Sequence, residues 1–334
     1  MTELTRRSML TGAAVVGAAA ATPMQTSPAL AAEAPAGQSA AGYYRYKVGD
    51  YEITVVTDGA TTSPLPENFV INQTKDDVNA ALAAAFLEQD KVTIPYSPLV
   101  VNTGSKLIVM DTGTGEANFE RSNGAAGQFH HNLKASGIDR NAVDMVVISH
   151  FHTDHINGLL TADGKPAFAN AEILVPAPEW KYFMDDGEMS RAPAGRMQGV
   201  FNNTRRVFDA LGRKVTRYEW GKEVAPGITA VATPGHTPGH TSYVVSSGSG
   251  QIYVQADVTN LPQLFARNPG WHAFFDQDPT MAEATRRKVY DMLAAEKMRV
   301  QGFHYPFPAV AYVEKTATGY SEIPLPWGPA AAVA

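Results

Sequence analysis

The chain of 334 residues contains no cysteine. That absence removes disulfides, thiolate metal ligands and a cysteine nucleophile together, so any metal must be held through nitrogen and oxygen. Basic runs are missing too: arginines occur at most in pairs, and the formal net charge is −6. Such a chain lacks the electrostatic footprint of a nucleic-acid binder, and a small neutral substrate is the expected partner. Long apolar runs are also absent, since the stretch from Met9 to Ala21 falls short of the roughly 20 residues that span a bilayer. No tandem repeat at solenoid spacing is visible.

What is present begins with Arg6-Arg7, that short apolar run, and Ala29-Leu30-Ala31. The order describes an export signal of the twin-arginine type, with a periplasmic or secreted destination and no stable membrane anchor. The expected division is a signal peptide over 1–31, a flexible leader over 32–42, one globular domain over 43–327 and a tail over 328–334. With 44% hydrophobic residues the domain can bury a large core.

Along that domain, YYRYKVGDYEITVVTDG reads as two strands around Gly49-Asp50, and SPLVVNTGSKLIVMDTG as a second hairpin. Gln128 to Ser136 suits a helix stopped by Gly137, and Val143 to Ser149 is a β-branched run of buried-strand type. Strands follow at AEILV, ITAVA, TSYVV and QIYVQAD, with helices over Ala177 to Met184 and Arg196 to Leu211. Thr280 with Glu283 predicts a capping box opening a last helix. The repeated alternation implies stacked sheets flanked by helices.

Ser149 to Leu159, SHFHTDHINGL, concentrates the chemistry. On an extended strand end His150 and His152 project from one face, about 7 Å apart along the backbone. Asp154 and His155 follow a turn, with Asn157-Gly158 allowing an irregular loop, so they can aim at a neighbouring point. Four ligand-type side chains crowded at a buried strand end would be costly unless a cation neutralised them. The spacing predicts two adjacent metal ions.

The order of these motifs resembles the metallo-β-lactamase fold superfamily: His150-x-His152-x-Asp154-His155 after an apolar strand, TPGHTPGH with His236, Asp257 ending YVQAD, and His304 after VQGF. Within it, GYYRYKVGDYEITVVTDG, LVVNTGSKLIVMDTG and HTPGHTSYVV resemble the methyl parathion hydrolase group. The resemblance implies an αββα sandwich, two mixed sheets flanked by helices, with the metals at one edge. It makes His150, His152 and His236 ligands of one ion, and Asp154, His155 and His304 ligands of the other. Asp257 would bridge them, so that Asp257 and Asp154 are the carboxylates at the reacting centre, and a shared hydroxide would be the nucleophile. Two divalent ions are implied, zinc by default, with manganese, cobalt and iron also compatible with these donors.

Further residues are expected nearby. His240 either supports a ligand or packs; Asp111 either orients a metal histidine or sets its turn. His130 and His131, on the expected helix, suit packing or solvation, and His272 is ambiguous. Trp180, Phe183, Trp271, Phe274 and Phe275 are candidates for an apolar substrate pocket or for core, as is Tyr182.

The resemblance therefore implies a secreted dinuclear hydrolase of a neutral ester, with aryl phosphotriesters leading. The alternative is a lactonase, including the quorum-quenching type, or an aryl esterase. Those lactonases typically carry a tyrosine three residues after the bridging aspartate, where this chain has Asn260. A β-lactam hydrolase, a nuclease and a non-catalytic metal-binding protein fit the motifs less well. A homodimer is compatible with the sequence.

Overall fold

The computed structural model describes residues 41–326. The signal, most of the leader and the tail expected from the sequence lie outside them. Among the described residues no helix is long and apolar enough to cross a membrane.

Two seven-stranded mixed sheets dominate. The first runs Tyr43–Val48, Tyr51–Val56, Leu99–Asn102, Leu107–Met110, Met145–Val147, Glu172–Pro176, Thr216–Tyr218. Its pairs are antiparallel as far as Leu107–Met110 and parallel beyond it. The second runs Glu223–Ala225, Ile228–Ala232, Thr241–Ser247, Gly250–Val254, Val300–Gln301, Val310–Lys315, Tyr320–Pro324. In it only Gly250–Val254 and Val300–Gln301 pair in parallel.

Strand alternation explains the layering. Ile53, Val55, Val101, Ile108 and Val147 join Tyr243, Val245, Ile252 and Val254 in one core between the sheets. Their neighbours Val56, Val100, Val109, Val146 and Ile148 face a separate core beneath the helices Ala177–Phe183 and Arg196–Ala210. Because helices cover the outer face, Val146 to Ile148 are apolar on both sides, which is why that segment reads as a continuous hydrophobic run. The last helix, Pro279–Glu296, contributes Val289, Tyr290 and Leu293 to the other side of the second sheet. Helices and two large mixed sheets make this the metallo-β-lactamase fold implied by the resemblance.

Two local expectations change. The last helix is capped by Asp278, whose side chain accepts from the Met281 N–H, with Pro279 at the first helical position. Pro279 needs no hydrogen-bond partner there, so the helix starts earlier than a Thr280–Glu283 box would place it. Glu283 instead pairs with His272 and Arg287. The second change is an addition: a ribbon of Gly59–Pro64 and Lys91–Tyr96 with the helix Lys75–Ala84, which was not anticipated.

Candidate metal centre

The ligand-type residues collect where strands of both sheets end. Val254 and Gln301 are partners in the parallel pair of the second sheet, so Asp257 and His304, each three residues further on, arrive side by side. Parallel pairing has this consequence because both chains leave the sheet at the same edge. In the first sheet Met110 is likewise the parallel partner of Val147, which sets Asp111 beside the segment Ser149 to His155. His236 comes from the loop between Ile228–Ala232 and Thr241–Ser247.

Three groupings result: His150, His152 and His236; His150, His155 and Asp257; Asp154, His155 and His304, each with ligand atoms within 4.8 Å of one another. His152 Nδ1 lies 3.1 Å from His150 Nε2 and 2.8 Å from His236 Nε2. Asp257 stands between the groups, its Oδ2 2.9 Å from His304 Nε2 and 3.3 Å from His236 Nε2, its Oδ1 3.2 Å from His155 Nε2. Asp154 Oδ2 lies 3.4 Å from His304 Nε2 and 3.7 Å from His155 Nε2.

The surroundings fix the protons. His236 Nδ1 donates to Asp276 Oδ1, His155 Nδ1 to Asp111 Oδ2, and His304 Nδ1 to the Pro95 carbonyl, each at 2.8 Å. Ser149 Oγ donates to Asp111 Oδ2 at 2.7 Å and so accepts from His150 Nδ1 at 3.0 Å. Each of these four rings therefore commits its Nδ1 proton outward and presents Nε2 to the centre, the atom through which it would hold a metal. Burial, reinforced by neighbouring histidines, holds the pKa values of His150 and His152 well below the ordinary value, so both stay neutral.

A divalent cation fits this donor set. His155 Nε2 and Asp257 Oδ1 are buried without a hydrogen-bond partner among the described residues, although they lie 3.2 Å apart. Such orphans call for an explanation, and a cation between them supplies it. The pKa of His155 agrees: burial opposes its charge, yet Asp257, Asp111 and Asp154 together hold it well above the ordinary value. Positive charge is what those carboxylates favour at that nitrogen. These histidines and aspartates can thus hold divalent metal.

The supporting residues resolve several alternatives. Asp111, at φ +58°, accepts from the Ser149 N–H and hydroxyl as well as from His155. His240 is not a ligand: its Nε2 accepts the Asp257 N–H at 3.0 Å and its Nδ1 bonds to Thr233. His130 Nε2 pairs with the Gly158 carbonyl, His131 is exposed, and His272 faces Glu283.

Two supporting carboxylates escaped the sequence reading. Asp276 orients His236 and faces the buried Arg286 guanidinium at 3.4 Å. Glu179 accepts from the Phe151 N–H at 2.9 Å, and from Thr237 Oγ1 and the Gly239 N–H at 2.8 Å. It thereby ties the His150–His152 segment to the loop of His236, and burial pushes its carboxyl up to about 7. Gly239 is required there, because a Cβ would meet the Glu179 backbone at 2.1 Å.

A cleft of about 840 Å³ opens over His152, Asp154, His236, Asp257 and His304. Phe274 and Phe275 line it. Trp180 and Phe183 do not: their helix lies on the outer face of the first sheet, where Trp180 packs on Phe208 and Phe183 on Phe151 and Phe201. Tyr182 also packs there, and Trp271 packs in the small cluster around Phe69 and Phe265. Period-two alternation sends Phe151 into that layer while His150 and His152 turn to the metal side. Asn260 lines the cleft, and so does Tyr96, on the unanticipated ribbon.

The family model of the Metallo-beta-lactamase superfamily matches residues 94–291, and the chain belongs to that superfamily. It is 25% identical to N-acyl homoserine lactonase AiiA of Bacillus thuringiensis subsp. kurstaki over 166 residues, 49% of this chain and 57% of that protein. It therefore spans little more than half the length of such curated relatives. An N-acyl homoserine lactonase of Bacillus cereus is 22% identical over 239 residues, 67% of this chain and 84% of that one. Among solved structures it resembles AidC, described as a dizinc quorum-quenching lactonase, with TM-score 0.79, 25% identity and coverage of 86% and 99%. It also resembles AbOPH, described as a hydrolase in the beta lactamase superfamily, with TM-score 0.80, 26% identity and coverage of 87% and 100%. The curated relatives are lactonases, so the superfamily part of the sequence resemblance holds while its narrowing to methyl parathion hydrolase does not emerge from them. Superfamily membership and the buried histidine and aspartate donor set agree with the expectation of a metal-dependent hydrolase.

Proposed function

We propose that this hydrolase opens lactones, acyl homoserine lactones among them, at a dinuclear zinc site held by His150, His152, Asp154, His155, His236, Asp257 and His304. When bound, the two ions would supply Lewis acidity and a water of lowered pKa. Zinc suits the mixed imidazole and carboxylate donors, and the similar structure AidC is described as dizinc.

The observation that carries the reading is Tyr96. A lactone leaves as an alkoxide and needs a proton, and Asn260 cannot provide the phenol that stands after the bridging aspartate in lactonases. Tyr96 lines the same cleft, with its ring centroid 5.6 Å from that of His304. Burial and then the Asp154 carboxylate raise its pKa, so it remains a protonated donor at neutral pH. A phenol has reached the site from another strand. Against the cost of burial, His304 and His155 hold the Asp257 carboxyl well below the ordinary carboxylate range, and Asp276, Asp111 and the Pro95 carbonyl hold the histidine protons outward.

Aryl phosphotriesters, whose leaving group departs without a proton, are the second reading; Asn260 is what favours it. The test is zinc-loaded enzyme on hexanoyl homoserine lactone, an aliphatic δ-lactone, 4-nitrophenyl acetate and an aryl phosphotriester, compared by kcat/KM. Lactones leading supports the proposal; aryl phosphotriesters leading with lactones inert would replace it with the second reading. The export signal proposed for 1–31 would place the activity outside the cytoplasm, which fractionation of expressing cells would check.

A further inference from the structure

We infer that the cleft selects esters or lactones that carry, apart from the bond cleaved, a carboxylate, and that Arg206 is its anchor; this rests on the ester-hydrolase reading above. Three arginines line the cleft: Arg121, Arg196 and Arg206. None has a carboxylate within ion-pair distance among the described residues. Arginines nearby in sequence do: Arg191 pairs with Glu188, Arg205 with Asp186 and Arg213 with Asp209, at 2.6 to 2.7 Å. On one helix, Arg205 is therefore neutralised and the adjacent Arg206, which faces the cleft, is not.

Arg206 is also held in place by neutral groups. Its Nη2 donates to Asn203 Oδ1 at 2.8 Å and to Asn157 Oδ1 at 3.2 Å, and Asn203 Nδ2 donates to that same Asn157 oxygen at 2.9 Å. Two amide oxygens orient the guanidinium without cancelling its charge. Its Nε and Nη1 have no hydrogen-bond partner among the described residues. An oriented guanidinium with spare donors is suited to a planar carboxylate, which it can grip through two parallel hydrogen bonds.

The field in the cleft points the same way. Among the described residues its only acidic lining residues are Asp154 and Asp257, both of which face the metal positions, so bound divalent ions would leave the cleft strongly positive. The chain as a whole carries −6. A cationic cleft in an acidic protein concentrates anionic solutes at that one place. Phe274, Phe275 and Ile94 on its lining leave room for an apolar spacer between the carboxylate and the scissile bond.

The test uses the zinc-loaded full chain with mono-4-nitrophenyl adipate, which has a free carboxylate, against 4-nitrophenyl hexanoate, with spontaneous hydrolysis subtracted. The wild type should favour the charged ester in kcat/KM by about tenfold, the worth of one charge-assisted contact. That ratio should collapse in Arg206→Gln, recover in part in Arg206→Lys, and shrink as salt rises. A neutral ester cleaved equally well, or a ratio unchanged in Arg206→Gln, overturns the inference. If neither ester nor any lactone is cleaved, the hydrolase reading fails instead. The inference is then decided by calorimetry with adipamate, which has no ester: binding weakened about tenfold in Arg206→Gln supports it, and equal binding overturns it.

Discussion

Replacing Asp111 with asparagine isolates what the metal histidines owe to their outward hydrogen bonds. The position sits at φ +58°, a conformation asparagine tolerates better than most residues, so the backbone is spared. The side chain keeps its shape and loses one acceptor. In the native chain Asp111 accepts three hydrogen bonds, from the Ser149 N–H, the Ser149 hydroxyl and His155 Nδ1. An amide can satisfy the Ser149 N–H with its oxygen, but its NH2 then faces His155 Nδ1–H, donor against donor.

His155 escapes by moving its proton to Nε2, the atom that must be bare to hold a metal. Outer-shell changes of this kind cost about 10- to 100-fold in metal affinity, corresponding to ~1.4–2.7 kcal/mol. The loss should fall on the ion held with Asp154 and His304, leaving the ion of His150, His152 and His236 in place. Chelator competition with zinc counting by elemental analysis would show one equivalent retained and one weakened. Urea unfolding of the metal-free proteins separates this from general destabilisation. Two equivalents bound with native affinity would refute the reasoning.

Other consequences are accessible. Purified protein should carry about two metal equivalents per chain, as two three-ligand groups sharing a carboxylate require, and stripping them with a chelator should abolish turnover until zinc is restored; full activity with one equivalent would exclude a dinuclear reaction. Tyr96→Phe should lower kcat for aliphatic lactones by about 100-fold, the lower range for a lost acid, with little change for 4-nitrophenyl esters, and equal losses on both would remove Tyr96 from leaving-group protonation. Glu179 has its folded-state carboxyl pushed up from 4.5 to about 7, so its contribution to stability is fully present below the lower value and lost as pH rises through the upper one. Urea midpoints of metal-free protein should show that decline, flattened in Glu179→Gln, and an unchanged slope in the variant would assign the pH dependence elsewhere.

The metal segment was legible in the sequence because its geometry is local. Two residues along a strand end return a side chain to the same face, whatever else the protein does, so His150 and His152 could be aimed at one point from spacing alone. The strands Met145–Val147 and Glu172–Pro176 were legible for a similar reason, being short apolar runs bounded by turns. Tyr96, Asp276 and Arg206 were not, because each reaches the site through packing between segments far apart in the chain. Glu179 did leave a signal: it lies four residues before Phe183, one helical turn, on the face that is buried. A carboxylate on the buried face of a helix needs partners, and the nearest available donors are backbone amides of the ligand loops. The aromatic residues misled in the opposite direction, since Trp180 and Phe183 are as apolar as Phe274 and Phe275 and only the layer on which each helix or loop lies tells pocket from core.

The division of the candidate ligands between sheets would give a metal centre a structural role beside its chemical one. His150, His152, Asp154 and His155 leave the first sheet, while His236, Asp257 and His304 leave the second. Each three-ligand group spans both: His236 closes the first group and His304 the second, and Asp257 touches both. Between the sheets the apolar core is non-directional and sets their separation more firmly than their sliding. Glu179 adds one directional tie, from a helix on the first sheet to the His236 loop. Metal ions with ligands from both sides would fix the remaining freedom, because coordination is specific in distance and angle where packing is tolerant. The same argument explains why the supporting residues Asp111, Asp276 and Glu179 are buried carboxylates accepting from rings and amides: they hold each half of the site in shape before the halves are joined, so that metal binding need not also order the loops.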